Sequence, residues 1–440
     1  MLIRLSEIEL CNFKNVRHGK IKMPTQTAPS PERESASITG IYGQNGSGKT
    51  AVLDTLSFLK LLMSGASLPT DAVNYITKTA DCATAVFSFF IKDDSDEYTV
   101  KYTFSLNTSA DAALNSEKLV IYAHTDGRKK NLGQVQFRAD SEHVILPKKR
   151  LSAIGNTQRL ELEVEKRLCM RECRSFLFST PAIQFLFSEN DAISYAVRTL
   201  SAFAERGLYI VGSYNHDSTA MEFVLPAQSL SDTSACRILL TEPTVMPSDA
   251  YAKFLNQLTS MSTVMNVIIP GLTLTSHEFG REMMRDGREG VRFELMSCRK
   301  DLSVPLRYES EGIKKIISIL NLLIAMYNSY CVCVVVDEMD AGVFEFLLGE
   351  LLSCIEESGK GQLIFTSHNL RPLEMIAQDA LVFTTTNPDN RYIRINSRDK
   401  NLRSSYLRHI MLGGLSENVY ENANTAEIAF AFRKCREQVQ

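Results

Sequence analysis

One glycine-rich segment has the residue types of a phosphate cradle. It reads Gly-Gln-Asn-Gly-Ser-Gly-Lys-Thr from Gly43 to Thr50. Glycines let backbone N–H groups turn towards phosphate oxygens, which side chains would obstruct. In such a loop Lys49 supplies a positive charge to the β/γ-phosphates, and the Thr50 hydroxyl is a ligand for Mg²⁺. The sequence therefore predicts a nucleotide phosphate site formed by Asn45, Gly46, Ser47, Gly48, Lys49 and Thr50.

An apolar run further along the chain ends in two acidic residues. Cys331 to Asp340 reads CVCVVVDEMD. We expect Asp337 to hold the hydration shell of Mg²⁺ and Glu338 to polarise an attacking water as general base. The alternative is a strand that simply ends at a solvated turn, which could have the same sequence. The phosphate loop upstream favours the catalytic interpretation. A Glu at this point indicates an ABC-like or AAA-like site, since GTPases use Gln.

A histidine follows a second apolar run. Gln362 to Asn369 reads QLIFTSHN, so His368 comes directly after a predicted buried strand. A histidine there can contact the leaving phosphate or the lytic water as a γ-phosphate sensor. The alternative is a local backbone contact of a strand-end histidine. The order phosphate loop, Asp-Glu strand, strand-His favours the sensor.

The segment Tyr308 to Lys315 reads YESEGIKK and opens a predicted helix. Ser310 is suited to the N-cap, and Gly312 allows another backbone to approach closely. An ordinary helix cap is one interpretation. Because the segment directly precedes the Asp-Glu strand, we favour a helix start that donates to the γ-phosphate held by a second subunit.

Buried strands and amphipathic helices surround these segments in alternation. Ser37 to Tyr42 is a short buried strand that runs into the glycine loop, and Thr50 to Met63 follows with apolar residues at helical spacing. Strand, loop and helix in this order is what phosphate binding requires. Apolar strands that alternate with helices predict a parallel sheet covered on both faces. The further predicted elements of this kind are a helix at Glu311–Tyr327, a strand at Tyr330–Val336, a helix at Val343–Glu357 and a strand at Gln362–Ser367.

The segment from Thr84 to about Leu302 is predicted to be inserted between the two halves of this sheet and so to lie outside it. Leu2 to Leu10 alternates as a strand with a hairpin partner at Lys20 to Met23. The remaining predictions are an antiparallel meander at Thr84–Val144, a helical arm from Lys149 to about Arg206, a helix at Ser248–Val267, and strands at Arg292–Ser297 and Val304–Tyr308. The fold class is α/β: a P-loop head with a mixed or parallel sheet, an antiparallel β subdomain and an inserted helical arm.

We predict three regions from this pattern. Residues 1–150 form the N-terminal half of the head with the meander, and residues 151–300 form the helical arm with its connecting strands. Residues 301–440 form the C-terminal half, which contains the YESEGIKK segment, the Asp-Glu strand and His368.

Composition restricts the location and the partners of the chain. A net charge of −3 argues weakly against a nucleic-acid binder, which often has a basic excess. The longest apolar run, Ile316 to Tyr327, is too short to span a bilayer, and the alternating N-terminus does not read as a signal peptide. Ten irregularly spaced cysteines are typical of reduced thiols. These features predict a cytoplasmic protein.

Taken in order, the motifs resemble those of ABC-type ATPases of the SMC, RecF and OLD group, which includes many AAA family ATPases of bacterial defence systems. The matching segments are NFKN (12–15), GQNGSGKT, ESEG, VVVDEMDAG and FTSHN. The resemblance implies an ATPase with ATP and Mg²⁺ as cofactors, in which two heads sandwich two ATP molecules. It also implies that Ser310 and Gly312 act in trans, that Asp340 occupies the D-loop position, and that Lys14 lies near the phosphates.

Two departures from the family refine this expectation. The signature reads Ser-Glu-Gly where Ser-Gly-Gly is common, and the segment between Thr50 and Asp337 is too short for the long coiled coils of SMC proteins. No pattern of clustered Glu and Asp-x-Asp for a Toprim nuclease follows His368, and the histidines show no HNH pattern. We therefore expect a homodimer or higher homo-oligomer that controls a separate effector, a nuclease or toxin, in antiphage defence.

A second function class is a RecF-like ATPase that binds DNA in repair or recombination. Two basic clusters motivate it, Arg128–Lys130 and Lys148–Arg150. Solvated surface charge explains these clusters equally well. A filter-binding titration at low and moderate salt distinguishes the two classes, because phosphate contacts weaken steeply with salt.

Overall fold

The protein is described by a computed structural model. The described residues are 1–24, 36–93, 96–108, 113–125, 128–138, 150, 154–188, 191–212, 222–225, 236–240, 242–285, 287–300, 302–395, 402–412, 417–420, 427 and 431–432. Within these ranges no helix combines the length and the apolar character needed to cross a bilayer.

The N-terminal hairpin and the predicted meander form one antiparallel sheet. Its strands are β1 (Leu2–Phe13), β2 (Val16–Lys22), β4 (Cys82–Asp93), β5 (Asp96–Asn107), β6 (Leu114–Thr125) and β7 (Arg128–Arg138), in the order β2-β1-β4-β5-β6-β7. Alternate residues of β4 are buried, as one covered face requires. The hairpin partner of β1 begins at Val16 rather than at Lys20, because the exposed Arg17 and His18 hide its alternation. Residues 139–144 of the predicted meander lie outside the described residues.

A second six-stranded sheet contains the glycine-loop strand and confirms the predicted α/β class. Its strands are β3 (Ser37–Tyr42), β8 (Leu208–Val211), β15 (Cys333–Val336), β16 (Gln362–Thr366), β17 (Leu381–Thr384) and β18 (Tyr392–Ile393), in the order β18-β17-β3-β16-β15-β8. All neighbours are parallel except β17 and β18. Successive residues of this central sheet enter two different cores: Val335 and Ile364 face one, and Val334 and Leu363 face the other.

Strand β8 differs from the prediction that everything between Thr84 and about Leu302 lies outside the central sheet. It pairs with β15 in parallel, Cys333 opposite Leu208 and Val336 opposite Val211. Four residues are too few for a sequence period to show, so their place in the sheet is decided by tertiary neighbours: β15, α1 and α3.

Helices cover both faces of the central sheet. They are α1 (Lys49–Met63), α2 (Asn156–Arg171), α3 (Ala192–Arg206), α4 (Ser248–Ile268), α5 (Glu311–Asn328), α6 (Glu345–Ser358), α7 (Pro372–Met375) and α8 (Leu402–Leu412). The predicted helical segment forms α2, a π-helical turn and α3, and α3 packs against α1, β6 and β7. Helix α1 lies in the core with the antiparallel sheet, whereas α5 lies in the other core.

Two smaller sheets precede α5. Strands β9 (Glu222–Leu225) and β10 (Cys236–Leu239) pair with each other, and β11 (Thr244–Pro247), β12 (Leu272–Met283), β13 (Glu289–Arg299) and β14 (Leu302–Pro305) form a sheet against α4. The predicted strand Val304–Tyr308 is wrong beyond Pro305, because Leu306–Tyr308 forms a 3₁₀ turn. Proline ends the ladder there, since it has no N–H to donate.

Candidate functional site

A cavity of about 200 Å³ lies where β3, β15 and β16 end. Ligands of open α/β sheets bind at this carboxyl edge. The cavity is lined by Lys14, Asn15, Asn45, Gly46, Gly48, Lys49, Thr50, Ala51, Asp337, Glu338 and His368. It therefore brings together predicted site residues from distant parts of the chain. Four further predicted residues are not among the lining residues: Ser47, Ser310, Gly312 and Asp340.

Side chains from β17 and β18, the two strands beyond β3 at one end of the central sheet, hold the glycine loop in place. Gly48 has φ 98° directly before α1, a left-handed conformation that favours glycine. The Thr384 hydroxyl donates to Ser47 Oγ at 2.6 Å, and the Tyr392 hydroxyl donates to the carbonyl of Gly48 at 2.8 Å. Burial raises the pKa of Tyr392, so this hydroxyl stays a neutral donor.

Lys49 is a buried cation that contacts its own loop. Its Nζ donates to the carbonyls of Gly43 at 2.7 Å and Gln44 at 3.1 Å. Burial lowers the pKa of Lys49, and the negative charges of Asp337 and Glu338 oppose that effect. A desolvated ammonium gains from an anionic ligand, because a nearby negative charge favours its charged form. The loop is therefore suited to an anionic group such as a phosphate.

Lys14 reaches the cavity from the turn between β1 and β2. Its Nζ pairs with the carboxylate of Asp54 in α1 and lies 4.5 Å from the centroid of the Tyr75 ring. The neighbouring Asn15 side chain donates to the carbonyl of Gly46. Lys14 thus lines the cavity, but an internal carboxylate already pairs with its charge. The turn fastens the antiparallel sheet to the glycine loop.

One hydroxyl orients both acidic residues at the end of β15. Thr366 Oγ1, at the end of β16, donates to Asp337 Oδ1 at 2.5 Å. Thr366 Oγ1 also accepts a hydrogen bond from the backbone N–H of Glu338 at 2.7 Å. On the other side, the Asp337 N–H donates to the carbonyl of Val211 in β8 at 2.8 Å. Both neighbouring strands of the central sheet therefore position the Asp-Glu pair.

Glu338 has a strained backbone. Its φ of 46° lies in the left-handed region, which costs a non-glycine residue on the order of 1–3 kcal/mol. Its carbonyl accepts from Lys315 Nζ at 2.6 Å and from the Ala341 N–H at 2.9 Å. Its side chain is exposed and lines the cavity. Strain of this kind persists where surrounding bonds over-determine the conformation, often at functional sites.

His368 lies at the mouth of the cavity, and Asp340 holds the loop that carries it. Asp340 Oδ2 accepts the His368 backbone N–H at 3.1 Å. The other oxygen of Asp340 is buried and has no hydrogen-bond partner among the described residues. This bond uses the main chain of His368, while its exposed side chain borders the cavity.

The predicted signature segment begins α5 and lies outside this cavity. Ser310 is the N-cap, whose Oγ accepts the Ile313 N–H at 3.4 Å, and it is exposed. Gly312 packs against the backbone of Gly342: a Cβ on Gly312 would lie 2.1 Å from the Gly342 carbonyl oxygen. Glycine is therefore required at Gly312 by contacts within the chain itself.

Four residues of the site have no signal in the sequence analysis. Thr366 belongs to the recognised FTSHN segment, so its place directly before Ser-His could have marked it. Lys315 belongs to the signature segment but looks like an ordinary helix residue. Thr384 and Tyr392 come from the short strands β17 and β18, which no motif marks, and only the sheet order brings them to the loop.

Oxygen atoms suited to Mg²⁺ are present in the cavity. Thr50 and Asp337 both line it, and hydroxyl and carboxylate oxygens are the ligands that Mg²⁺ prefers. Elsewhere in the described ranges, Glu9, Cys11 and His18 have possible ligand atoms within 4.8 Å of one another. The Lys20 ammonium lies 3.5 Å from Glu9, however, and already neutralises that carboxylate.

Comparisons with known proteins agree with these motifs. Residues 7–175 match the AAA_23 family, described as an AAA domain. The DNA replication and repair protein RecF of Chlorobium phaeobacteroides (strain BS1) is 30% identical over 128 residues, which are 29% of this chain and 31% of that protein. The alignment thus spans about a third of the length of that curated relative.

Solved structures similar to this chain include SMC heads and RecF. The SMC head bound to the C-winged helix domain of ScpA is 12% identical at a TM-score of 0.46, over 89% of this chain and 98% of that one. The SMC head domain from Thermotoga maritima is 14% identical at a TM-score of 0.38, over 90% and 100%. The recombination mediator protein RecF is 13% identical at a TM-score of 0.37, over 86% and 97%.

The match at residues 7–175 contains the glycine loop, and the remaining motifs follow in the order expected of one composite head. By its motifs and by the matches to the AAA domain and to RecF, the chain is similar to ABC-type ATPases of the SMC/RecF group.

Proposed function

We propose that the chain binds ATP with Mg²⁺ at this cavity and hydrolyses it. The observation that carries the proposal is that one cavity joins the glycine loop, Asp337, Glu338 and His368. Lys49 would bind the β/γ-phosphates, and Thr50 and Asp337 would hold Mg²⁺, which neutralises phosphate charge.

The proposed reaction converts ATP and water to ADP and phosphate. Glu338 takes a proton from the water as its oxygen attacks the γ-phosphorus, and the bond from that phosphorus to the bridging oxygen of ADP breaks. His368 donates a hydrogen bond to the γ-phosphate from the cavity mouth. The bond between Thr366 and Asp337 keeps the acidic pair in one orientation through this step.

The proposed site is completed by a second copy of the chain. A cavity of about 200 Å³ is smaller than the roughly 300–1,000 Å³ of enclosed ligand pockets. The N-cap Ser310 is exposed and does not line the cavity of its own chain. A helix N-terminus is a suitable anion site, so we assign Ser310 and Gly312 to the ATP of the partner copy. ATP then holds two copies together.

We further propose that this ATP-dependent dimer or higher oligomer controls a separate effector, a nuclease or toxin, in antiphage defence. In the described ranges, the one group of three or more His, Cys, Asp and Glu side chains near enough to share an ion is Glu9, Cys11 and His18. That group is unlike the paired carboxylates that hold two metals in nucleases. Because the described residues combine a candidate ATP site with no larger ligand cluster of the nuclease type, they fit a switch better than a nuclease.

A RecF-like DNA-binding ATPase is the second candidate, favoured by the match to the repair protein RecF. Arg128, Lys129 and Lys130 are exposed on the edge strand β7, where a phosphate backbone could reach them. Arg150 does not contribute to such a surface. It is buried, it pairs with Asp191, and it donates to the carbonyl of Leu186 at 2.6 Å.

A hydrolysis-blocked variant tests the main proposal. Glu338→Gln keeps the side-chain size but removes the base, so phosphate release should fall roughly 10²–10⁴-fold. In the presence of ATP, the Glu338→Gln variant should accumulate as a dimer or larger oligomer, which analytical ultracentrifugation measures. Lys49→Ala should bind no ATP. Equal hydrolysis rates for wild type and Glu338→Gln would contradict the role of Glu338 as general base.

The trapped oligomer also separates the two candidate functions. A protein that co-purifies with ATP-loaded Glu338→Gln supports the effector. Binding of duplex DNA that weakens steeply between low and moderate salt, together with a loss of affinity in Lys129→Glu, supports the RecF-like function. Lys253→Glu, at an exposed position of helix α4, serves as the control for a general loss of positive charge.

A further inference from the structure

A lysine of α5 reaches the backbone of the Asp-Glu pair. Lys315 Nζ donates to the carbonyl of Glu338 at 2.6 Å and to that of Asp337 at 3.2 Å. Burial lowers the pKa of Lys315, an effect that the charges of Glu338 and Asp337 oppose. A lysine that gives up hydration to contact two carbonyls of one turn constrains the orientation of that turn.

The turn that Lys315 contacts is the strained one. Glu338 has φ 46°, and three bonds hold its peptide groups: from its own N–H to Thr366, and to its carbonyl from Ala341 and Lys315. Only the Lys315 bond comes from the signature helix. The direction of the Glu338 carboxylate therefore depends in part on the position of α5.

The start of α5 also touches the loop after Glu338 directly. A Cβ on Gly312 would lie 2.1 Å from the oxygen of Gly342, and a Cβ on Gly342 would lie 2.6 Å from the Cα of Gly312. Two backbones this close cannot slide independently, because packed interiors transmit small shifts. The signature segment and the turn at Glu338 thus form one mechanical unit with two connections, Gly312–Gly342 and Lys315–Glu338.

We propose that Lys315 is a positioning residue that couples the signature segment of one nucleotide site to the general base of the other. The inference rests on the proposed two-copy ATPase. There, Ser310 contacts the ATP bound by the partner copy, whereas Glu338 acts on the ATP of its own chain. Engagement of Ser310 at one site shifts or stiffens the start of α5, and Lys315 transmits this to Glu338. Occupancy of one site thereby sets the activity of the other.

Replacement of Lys315 tests the coupling in the full-length chain. Lys315→Met keeps the aliphatic stem and removes the donor. Affinity for a non-hydrolysable ATP analogue should stay within about threefold, while kcat should fall roughly 10–100-fold, as expected when a reacting group is misplaced. The Hill coefficient for ATP hydrolysis should fall towards 1. Lys315→Arg, which retains charge and donors, should restore most of kcat and the cooperativity.

A matched control separates coupling from a simple structural bond. Lys60 in α1 is also partly buried, and its Nζ donates to the carbonyl of Leu208 in the central sheet at 2.7 Å. Lys60→Met should lower thermal stability and leave kcat and the Hill coefficient unchanged. If Lys315→Met does not fold, Lys315→Gln takes its place with the same expected losses.

The outcomes distinguish this inference from the proposed function. A wild-type chain that releases no phosphate from ATP contradicts the proposed ATPase itself. Hydrolysis without cooperativity in the wild type, or equal changes in Lys315→Met and Lys60→Met, overturns the coupling and leaves the ATPase standing. A lower kcat in Lys315→Met, with an unchanged Hill coefficient and no rescue by Lys315→Arg, also overturns it.

Discussion

The hydroxyl of Thr366 offers the most direct test of the site geometry. Its side chain is fully buried at the end of β16, where it donates to Asp337 Oδ1 at 2.5 Å and accepts the Glu338 N–H at 2.7 Å. Thr366→Val preserves the branched shape and replaces the hydroxyl with a methyl group. The substitution therefore separates the two hydrogen bonds from the packing of the strand.

The two bonds differ in strength. A hydrogen bond to a charged group contributes roughly 1.5–3 kcal/mol, and a bond between neutral groups contributes about 1 kcal/mol. Thr366→Val should therefore lower the free energy of unfolding by roughly 2.5–4 kcal/mol. Each 1.36 kcal/mol lost from transition-state stabilisation is about tenfold in rate. If the bond to Asp337 is needed in the transition state, kcat should fall roughly 10–100-fold.

Phosphate release at saturating ATP measures kcat, and urea unfolding measures stability. Thr366→Ser keeps the hydroxyl and should restore most of the activity. Thr39→Val is the matched control: Thr39 is fully buried in the neighbouring strand β3, and its hydroxyl donates to the sulfur of Met23 at 3.1 Å. That control should change kcat little. Wild-type kcat in Thr366→Val, or an equal loss in Thr39→Val, would refute the reasoning.

Two further outcomes follow from buried ionisable groups. Burial places the pKa of Lys49 below 10.5, so the affinity for an ATP analogue should fall as the pH rises through that lowered pKa. Lys49→Arg should show no such fall, because arginine keeps its charge over this range. A flat wild-type affinity profile up to pH 10.5 contradicts the prediction. The buried carboxylate of Glu117 accepts hydrogen bonds from the hydroxyls of Tyr102 and Ser175 and from the Phe176 N–H. Glu117→Leu should therefore lower the free energy of unfolding, measured in urea, by roughly 3–5 kcal/mol, and Glu117→Gln should lower it much less. Burial raises the pKa of Glu117 above 4.5, so wild type should lose stability relative to Glu117→Gln as pH rises from 4.5 through that pKa; parallel pH profiles would contradict it.

Most of the residues that line the cavity were predictable because they stand in local sequence patterns. The glycine loop, the Asp-Glu strand end and the strand-His each consist of adjacent residues, and their burial follows from apolar runs beside them. The supports were not predictable in this way. Tyr392 lies in a strand of two residues, and Thr384 in a strand of four, so neither has a periodic signal. Their role arises from the sheet order, which places β17 beside β3.

The same reasoning explains why the antiparallel meander was predictable and β8 was not. Strands of about a dozen residues, such as β4, show the alternation of buried and exposed residues clearly. Strand β8 has four residues, and all of them are apolar or aromatic. Such a run fits a strand, the end of a helix or a buried loop equally well. Its pairing with β15 is decided by the tertiary structure, since its neighbour lies more than a hundred residues away in the chain.

The departure of the signature from Ser-Gly-Gly has a structural explanation. Glu311 is 76% exposed, and its carboxylate pairs with Lys314 at 2.5 Å, one turn along α5. A side chain is thus accommodated at the second position, and its charge is partly neutralised before it can repel a phosphate. The third position is different, because Gly312 is pressed against Gly342 and no Cβ fits. The Ser-x-Gly pattern, rather than Ser-Gly-Gly, is therefore what the packing of this helix start requires.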